Sequence, residues 1–447
     1  MTSANTAPSP ERKKHLRKLM AAGLVGASIE WYDFFIYGTA AALVFGTIFF
    51  PDASPLTATL LSFSTFWAGF VARPLGGLVF GHIGDRIGRK PALVTCLILV
   101  GGSTVGIGLL PTAAQIGVAA PILLVTLRFL QGIAVGGQWG GVILLLTESA
   151  MPGRRGQAGT FGQMGVPFGL ILGTVAFLVV GLTVPSEAFV AWGWRIPFLA
   201  SALLLPIVLF IQTRVEDSPE YQQLKQAADS SRAKVVRAPI REAITTHWRR
   251  ILLGAGILGS SNAVFYIGVA GVLDYGTREL GMSRDSLLIA SLAASAFGVA
   301  AIYWAGSASD RIGRKPLMIV GAAAMALWAF PYFWLINTES LFWVFVAVAI
   351  GGVASSLVYG PYAAYLAELF QPNVRYSAAS IAYQLPAIVI SGGTPFLMTA
   401  LLAATGTTLA VSGYMALVAL ISLTCVLLSP ETHQRAGTTA TPSPATT

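Results

Sequence analysis

The sequence predicts an all-α membrane protein of twelve transmembrane helices in two pseudo-symmetric six-helix bundles, and three observations carry that prediction. Of its 447 residues, 55% are hydrophobic and only 11% charged. The mean hydropathy of +0.71 is far above that of a soluble domain. The charges are clustered, which leaves uncharged runs such as 91–110 and 414–429. Such runs approach the roughly 20 residues needed to cross a ~30 Å hydrocarbon core. Finally, the string Asp-Arg-Ile-Gly-Arg-Lys-Pro occurs twice, at 85–91 and 310–316.

Taken in order, apolar segments of spanning length fall at 20–46, 57–83, 91–111, 121–147, 158–182, 195–213, 250–275, 286–308, 317–336, 341–368, 376–403 and 408–429. The first follows a basic stretch and lacks a small-residue cleavage site, so it reads as a retained helix. The repeated string follows the second span and the eighth, the second span of the second half. Glu148, Pro152 and Arg155 after span 4 recur as Glu368, Pro372 and Arg375 after span 10. The chain is therefore an internal duplication of six helices.

The units are an N-terminal tail (1–18), a first bundle (19–213), a polar linker (214–249), a second bundle (250–429) and a C-terminal tail (430–447). The linker reads as a solvated tether or a regulatory segment. Most of the 28 Lys and Arg residues fall in the tails, the linker and alternate loops, whereas the opposite loops hold Arg278 and Arg284, with Arg195 at a helix edge. That bias places both termini in the cytoplasm and the protein in the plasma membrane. It also accounts for the net charge of +9 without nucleic acid. Cys96 and Cys425 sit in apolar runs as packing residues, and the four histidines show no metal spacing. No cofactor, metal or catalytic constellation is expected, which argues against an enzyme. The partners expected are the lipid bilayer, a small molecule and protons, with a monomer as the working unit.

Ionisable residues inside spans are costly, about 2.5 kcal/mol or more each in lipid, and so mark function. Span 1 carries Glu30 and Asp33, placed by helical spacing on one face with Tyr37. Arg73 in span 2 and Arg128 in span 4 are the opposite charges available. Arg128, Gln131 and Gln138 or Trp139 form one stripe of span 4 expected to line a cavity. Asp33 is the candidate proton carrier with Arg128 as its countercharge and Glu30 as a second acid. The alternative is a static buried ion pair. Substrate contacts are sought among polar and aromatic residues at helix midpoints: Tyr32, Tyr37, Gln131, Trp139 and Gln163 in the first half, and Asn262, Tyr266, Tyr359 and Gln384 in the second. Arg73 is the candidate for an anionic group, since its fork matches a carboxylate, or else a structural residue. Pro74, Pro167, Pro361, Pro386 and Pro395, with glycine neighbours, predict bent helices.

The repeated string, with Gly81, Asp85, Arg86, Gly88, Arg89 and Lys90 in one copy and Gly306, Asp310, Arg311, Gly313, Arg314 and Lys315 in the other, resembles the signature loop of the major facilitator superfamily. A cytoplasmic latch is expected, with Asp85, Arg89, Glu148 and Arg155 in one cluster and Asp310, Arg314, Glu368 and Arg375 in its twin. The alternative is that these residues only set topology. Over nearly the whole chain, "EWYDFFIYG" (30–38), "ARPLGGLVFGHIGDRIGRKP" (72–91), "RFLQGIAVGGQWGG" (128–141), "WGWRIPFL" (192–199), "EDSPEY" (216–221) and "PETH" (430–433) resemble the metabolite:proton symporter family of that superfamily. The resemblance implies a secondary transporter that imports small organic acids or zwitterions with protons by alternating access. Asp33 also resembles the span 1 aspartate that faces a span 4 arginine in proton-coupled sugar porters. The family usually has Glu where this chain has Gln138, a neutral amide that cannot carry a proton. The rival readings are an exporter or antiporter and an uncoupled facilitator on the same fold. "GVPFG" (165–169) loosely resembles the Gly-Pro motif of drug:proton antiporters.

Overall fold

Apolar runs without charge fold as helices because lipid offers no partner for backbone N–H and C=O groups. The structure, a computed structural model, describes residues 10–87, 89–136, 139–151, 153–214, 239–371 and 374–433. At 10–15, 77–78, 81–87, 89–93, 139–142, 204–205, 207–214 and 239–242 it describes the backbone alone. Most of the predicted linker, 215–238, lies outside the described residues. Among the described residues every regular element is helical.

The longer helices are α1 (Pro10–Ala40), α2 (Pro55–Ile87), α3 (Arg89–Leu109), α4 (Ala119–Val135), α5 (Trp139–Glu148), α6 (Arg155–Gln163), α7 (Gly165–Thr183) and α8 (Arg195–Arg214). They are followed by α9 (Pro239–Tyr266), α10 (Val272–Arg278), α11 (Arg284–Ile312), α12 (Arg314–Ile336), α13 (Leu341–Leu369), α14 (Arg375–Pro386), α15 (Thr394–Thr405) and α16 (Leu409–Leu428). Nine helical stretches among the described residues are long and apolar enough to cross a bilayer, and Val94–Leu109 and Ala119–Val135 are shorter apolar helices.

One difference from the predicted spans has a local cause. The helix of span 1 begins at Pro10, ahead of the expected apolar boundary, because the basic stretch before it is also helical. The segment predicted as one span over 121–147 is described as α4 up to Val135 and α5 from Trp139, with residues 137 and 138 outside the described residues. Pro74 and Pro361 lie inside helices, Pro167 and Pro395 near helix starts, and Pro386 ends α14. Pro206 and Pro331 also lie inside helices.

Wider π turns interrupt the spans at Ala41–Phe45, Phe189–Gly193, Ile267–Gly271 and Ala387–Ser391. The first and third fall at nearly the same separation as the repeated strings, which carries the internal repeat into the backbone. In the second string, Gly313 joins α11 to α12 with a φ of 107°, open to glycine at no steric cost. In the first string the helices are described up to Ile87 and from Arg89.

α1 packs against α7, α2 against α4, and α3 against α4 and α8. In the other half α13 packs against α11 and α12, and α9 against α14 and α16. Glycines allow α2 and α4 to touch backbone to backbone: a Cβ at Gly136 would sit 1.8 Å from the Arg73 carbonyl oxygen. The halves meet where α6 and α7 pack on α11, α6 on α13, and α15 on α2.

Candidate functional site

The expected charged residues of α1, α2 and α4 converge at the centre of the first half. Arg128 is 1% exposed and lies beneath three rings, with its guanidinium carbon 4.5 Å from the centre of Phe34, 4.2 Å from Tyr37 and 5.1 Å from Phe66. Arg73, 2% exposed, lies 4.9 Å from Phe34, 4.5 Å from Phe70 and 5.6 Å from Trp31. Phe34 is therefore shared by two cations, each stabilised through the negative face of the rings in place of water. Gly69 makes the room: a Cβ there would come 2.6 Å from Arg128 Nε.

Asp33 is buried, and the Ser201 hydroxyl of α8 donates to its Oδ1 at 2.5 Å. The Thr104 hydroxyl of α3 also lies beside it. Thr104 accepts from Gln131 Nε2 at 2.8 Å, and Gln131 Oε1 accepts from Arg128 Nη1. Asp33 and Arg128 are thus linked through Thr104 and Gln131, and no direct ion pair joins them among the described residues. Arg128 Nε and Nη2 have no hydrogen-bond partner. Glu30 is half-buried on the same helix, with Arg73 as the cation beside it.

The remaining expected contacts separate into two groups. Asn262, Tyr266 and Tyr359 line a cavity of about 90 Å³, where ~15 Å³ suffices for one water. Tyr32 donates to the Pro197 carbonyl oxygen at 2.6 Å, and Tyr37 to Thr65 Oγ1 at 2.7 Å. Gln163 donates to the Tyr359 carbonyl oxygen at 3.0 Å, and Gln384 is buried with an unpartnered Oε1. These four, with Gln131 and Arg73, are not among the residues lining the cavity. Gln138 lies outside the described residues, as do the side chains of Trp139, Asp85 and Arg89.

The cavity is lined unevenly. The first half contributes Trp31, Val166, Pro167 and Leu170. The second contributes hydroxyls and an amide: Ser261, Asn262, Ser355 and Ser356 with Tyr266, Tyr359 and Tyr383. Ser261 and Ser355 share a hydrogen bond at 2.6 Å, and the Tyr359 and Tyr383 hydroxyls lie 3.4 Å apart. Among the described residues none of the lining side chains is charged. The serines and Tyr383 escape sequence reasoning because a serine in an apolar helix carries no signature.

Contacts bridge the halves at both ends of the cavity. On the face of the repeated strings, Asp310 accepts from the Gly156 and Gln157 amides at the start of α6, each at 2.8 Å. An acid there complements the positive end of the helix. Arg314, 1% exposed, binds Asp310 at 2.7 Å and Glu368 at 3.0 Å. Arg375 departs from its expected cluster: it pairs across the halves with Glu148 at 3.1 Å. Arg155 is exposed at the first residue of α6. Glu431 was passed over as a site residue; its carboxylate accepts from the Arg314 and Lys315 amides at 3.1 and 3.0 Å and caps α12. Near the middle of their helices, Trp67 donates to the Ile388 carbonyl oxygen at 2.7 Å, and on the opposite face Arg284 lies over the Phe189 ring at 4.2 Å.

Comparison with known proteins agrees with this arrangement. The sugar (and other) transporter family matches residues 19–438. The chain is 38% identical to the inner membrane metabolite transport protein YhjE of Escherichia coli (strain K12), over 94% of this chain and 95% of that one. It is 37% identical to the shikimate transporter of the same organism, over 86% and 88% of the two chains. Its fold is similar to that of the proton:xylose symporter XylE from E. coli, with a TM-score of 0.71 at 18% identity, covering 94% of this chain and 97% of that one. Multi-pass apolar helices, a cavity between two helix groups and these relatives converge on one statement: the chain is a membrane transporter, not an enzyme, and belongs to the sugar (and other) transporter family.

Proposed function

We propose that this transporter is a symporter that imports a small organic acid or zwitterion together with protons. It works as a monomer of twelve spans in two six-helix bundles, with both termini in the cytoplasm of a cell whose plasma membrane it crosses. The cavity between the bundles opens alternately to either side as the halves rock. The observation that carries this reading is the arrangement of Asp33. Its carboxylate is buried without a direct cation and held by the hydroxyls of Ser201 and Thr104. It can therefore take a proton without breaking an ion pair, while Gln131 and Thr104 connect that event to Arg128.

Recognition falls to the second half, whose hydroxyls and Asn262 suit a small molecule bearing hydroxyl or carbonyl groups. The match to a transporter of shikimate, a hydroxylated acid, supports that chemistry. The latch on the string face holds the outward-open and occluded states: opening to the cytoplasm separates Asp310 from α6 and Arg375 from Glu148.

The test is uptake by proteoliposomes of a panel of labelled hydroxy acids, amino acids and betaines, with and without an acid-outside gradient. Accumulation abolished by a protonophore is the expected result and identifies the substrate. Equilibration of a bound substrate regardless of the gradient would instead make the protein a facilitator.

A further inference from the structure

The face opposite the repeated strings carries a buried acid that the reading above does not use. Asp274 on α10 has a side chain only 7% exposed, and its Oδ1 has no hydrogen-bond partner. Its cation, Arg278, lies one turn on with Nε at 3.7 Å, beyond hydrogen-bond length. The same guanidinium reaches into the other half: Nη1 donates to Thr59 Oγ1 near the start of α2 and stands 3.5 Å from the Pro55 carbonyl oxygen. Arg278 thus joins a buried acid of one half to the backbone and a hydroxyl of the other.

The neighbourhood is otherwise poor in charge. On α10 and just beyond it, Arg278 and the exposed Glu279, 3.4 Å from Arg278 Nη2, are the charged groups facing Asp274. From α15 the Thr399 hydroxyl lies beside the carboxylate. The π turns packed on α10, Ala41–Phe45 and Ile267–Gly271, carry no titratable residue. On α11, Arg284 and Asp285 pair with each other at 2.9 Å. While Asp274 is ionised its charge faces the Arg278 guanidinium, and a neutral carboxyl lacks that attraction.

We infer that Asp274 is a second proton-binding site, and that a proton arriving from the outer solution releases Arg278 from Thr59 and unlatches the outer face. The inference rests on the orientation given under the proposed function. One O–H bond forms on the carboxylate, the proton comes from water, and otherwise only hydrogen bonds change. The direction is fixed by the chemistry: acid outside opens the outer face, and alkaline solution keeps it latched.

Pulsed EPR on the full chain in lipid nanodiscs tests this without substrate. Spin labels go on Ile116 and Thr407, exposed positions on this face in opposite halves, with Cys96 and Cys425 replaced. In the wild type the distance lengthens as the buffer is acidified from about pH 8 to about pH 5. Asp274→Asn holds the long distance at every pH, and Asp274→Glu restores the response. Thr59→Val, which removes the acceptor and leaves the charges intact, lengthens the distance at the alkaline end. An Asp274→Asn protein that keeps the wild-type response, or an unchanged distance in Thr59→Val, overturns the inference. Asp33→Asn separates it from the transport reading. If Asp33→Asn abolishes the response and Asp274→Asn does not, the proton acts at the cavity, and symport stands without this latch. If the response follows Asp274 while uptake ignores the gradient, the latch stands without symport.

Discussion

The two halves of the molecule bury polarity by opposite means. Behind the cavity, the first half holds two carboxylates and two guanidinium groups, screened by Trp31, Phe34, Tyr37, Phe66 and Phe70. The second half holds serines, tyrosines and Asn262, which pair with one another or line the cavity. The two halves thus differ in chemistry, although the π turns at Ala41–Phe45 and Ile267–Gly271 keep the spacing of the repeated strings. The difference teaches that charge and recognition need separate housing. A fixed charge in the cavity wall would bind one charge type tightly and slow its release, whereas neutral hydroxyls reorient at little cost.

The largest expected effect breaks the charged side. Asp33→Asn keeps shape and hydrogen bonding but cannot take up a proton. With one proton per substrate, a gradient of two pH units supports roughly hundredfold accumulation, about 2.7 kcal/mol. The variant is expected to reduce that ratio to unity in proteoliposomes while counterflow exchange persists. Retained accumulation would show that Glu30 or another group carries the proton.

Next in size is Arg128→Ala. It removes a cation stacked on three rings, each such contact being worth ~2 kcal/mol when desolvated, and leaves Gln131 without its donor. Thermal unfolding in detergent should fall by several degrees, and Arg128→Lys should recover only part, since a point charge spreads less well over three ring faces. An unshifted unfolding temperature in Arg128→Ala would mean that water already solvates the site.

The recognition side should respond more gently. Tyr359→Phe removes one hydroxyl from the cavity and its 3.4 Å contact with Tyr383. A neutral hydrogen bond is worth about 1 kcal/mol, so KM should rise roughly fivefold with the accumulation ratio unchanged. A changed ratio at constant KM would place Tyr359 in coupling and blur the division between the halves.

The same contrast explains what the sequence disclosed. Charge in an apolar run is conspicuous, so Asp33, Glu30, Arg73, Arg128 and the polar Gln131 were legible, as were the spans between charge clusters. Serines were not. In membrane helices their hydroxyls commonly bond back to the carbonyl four residues earlier, as Ser28, Ser62 and Ser64 do here, so Ser201 or Ser355 does not stand out. That Arg73 lies behind Trp31, out of the cavity, depends on the rotation of α2 against α1, which spacing alone leaves open. The π turns arise from backbone packing and have no residue signature.

The smallest expected effect concerns the loops, where the repeat is closest in sequence. The second string is closed by a residue from the far end of the chain. Glu431 accepts from the Arg314 and Lys315 amides and from those of Thr432 and His433, the last two at 2.9 Å each, while Thr432 donates to Glu368 at 2.8 Å. Glu431→Gln keeps one acceptor oxygen but removes the negative charge at the start of α12. An exposed charge at a helix N-terminus contributes about 0.3–1 kcal/mol, so the unfolding temperature should drop by a degree or two and uptake should change less than twofold. Glu431→Ala also opens the capping bonds and should cost more. If Glu431→Gln instead slows transport strongly at unchanged stability, the cap moves with the latch during the cycle.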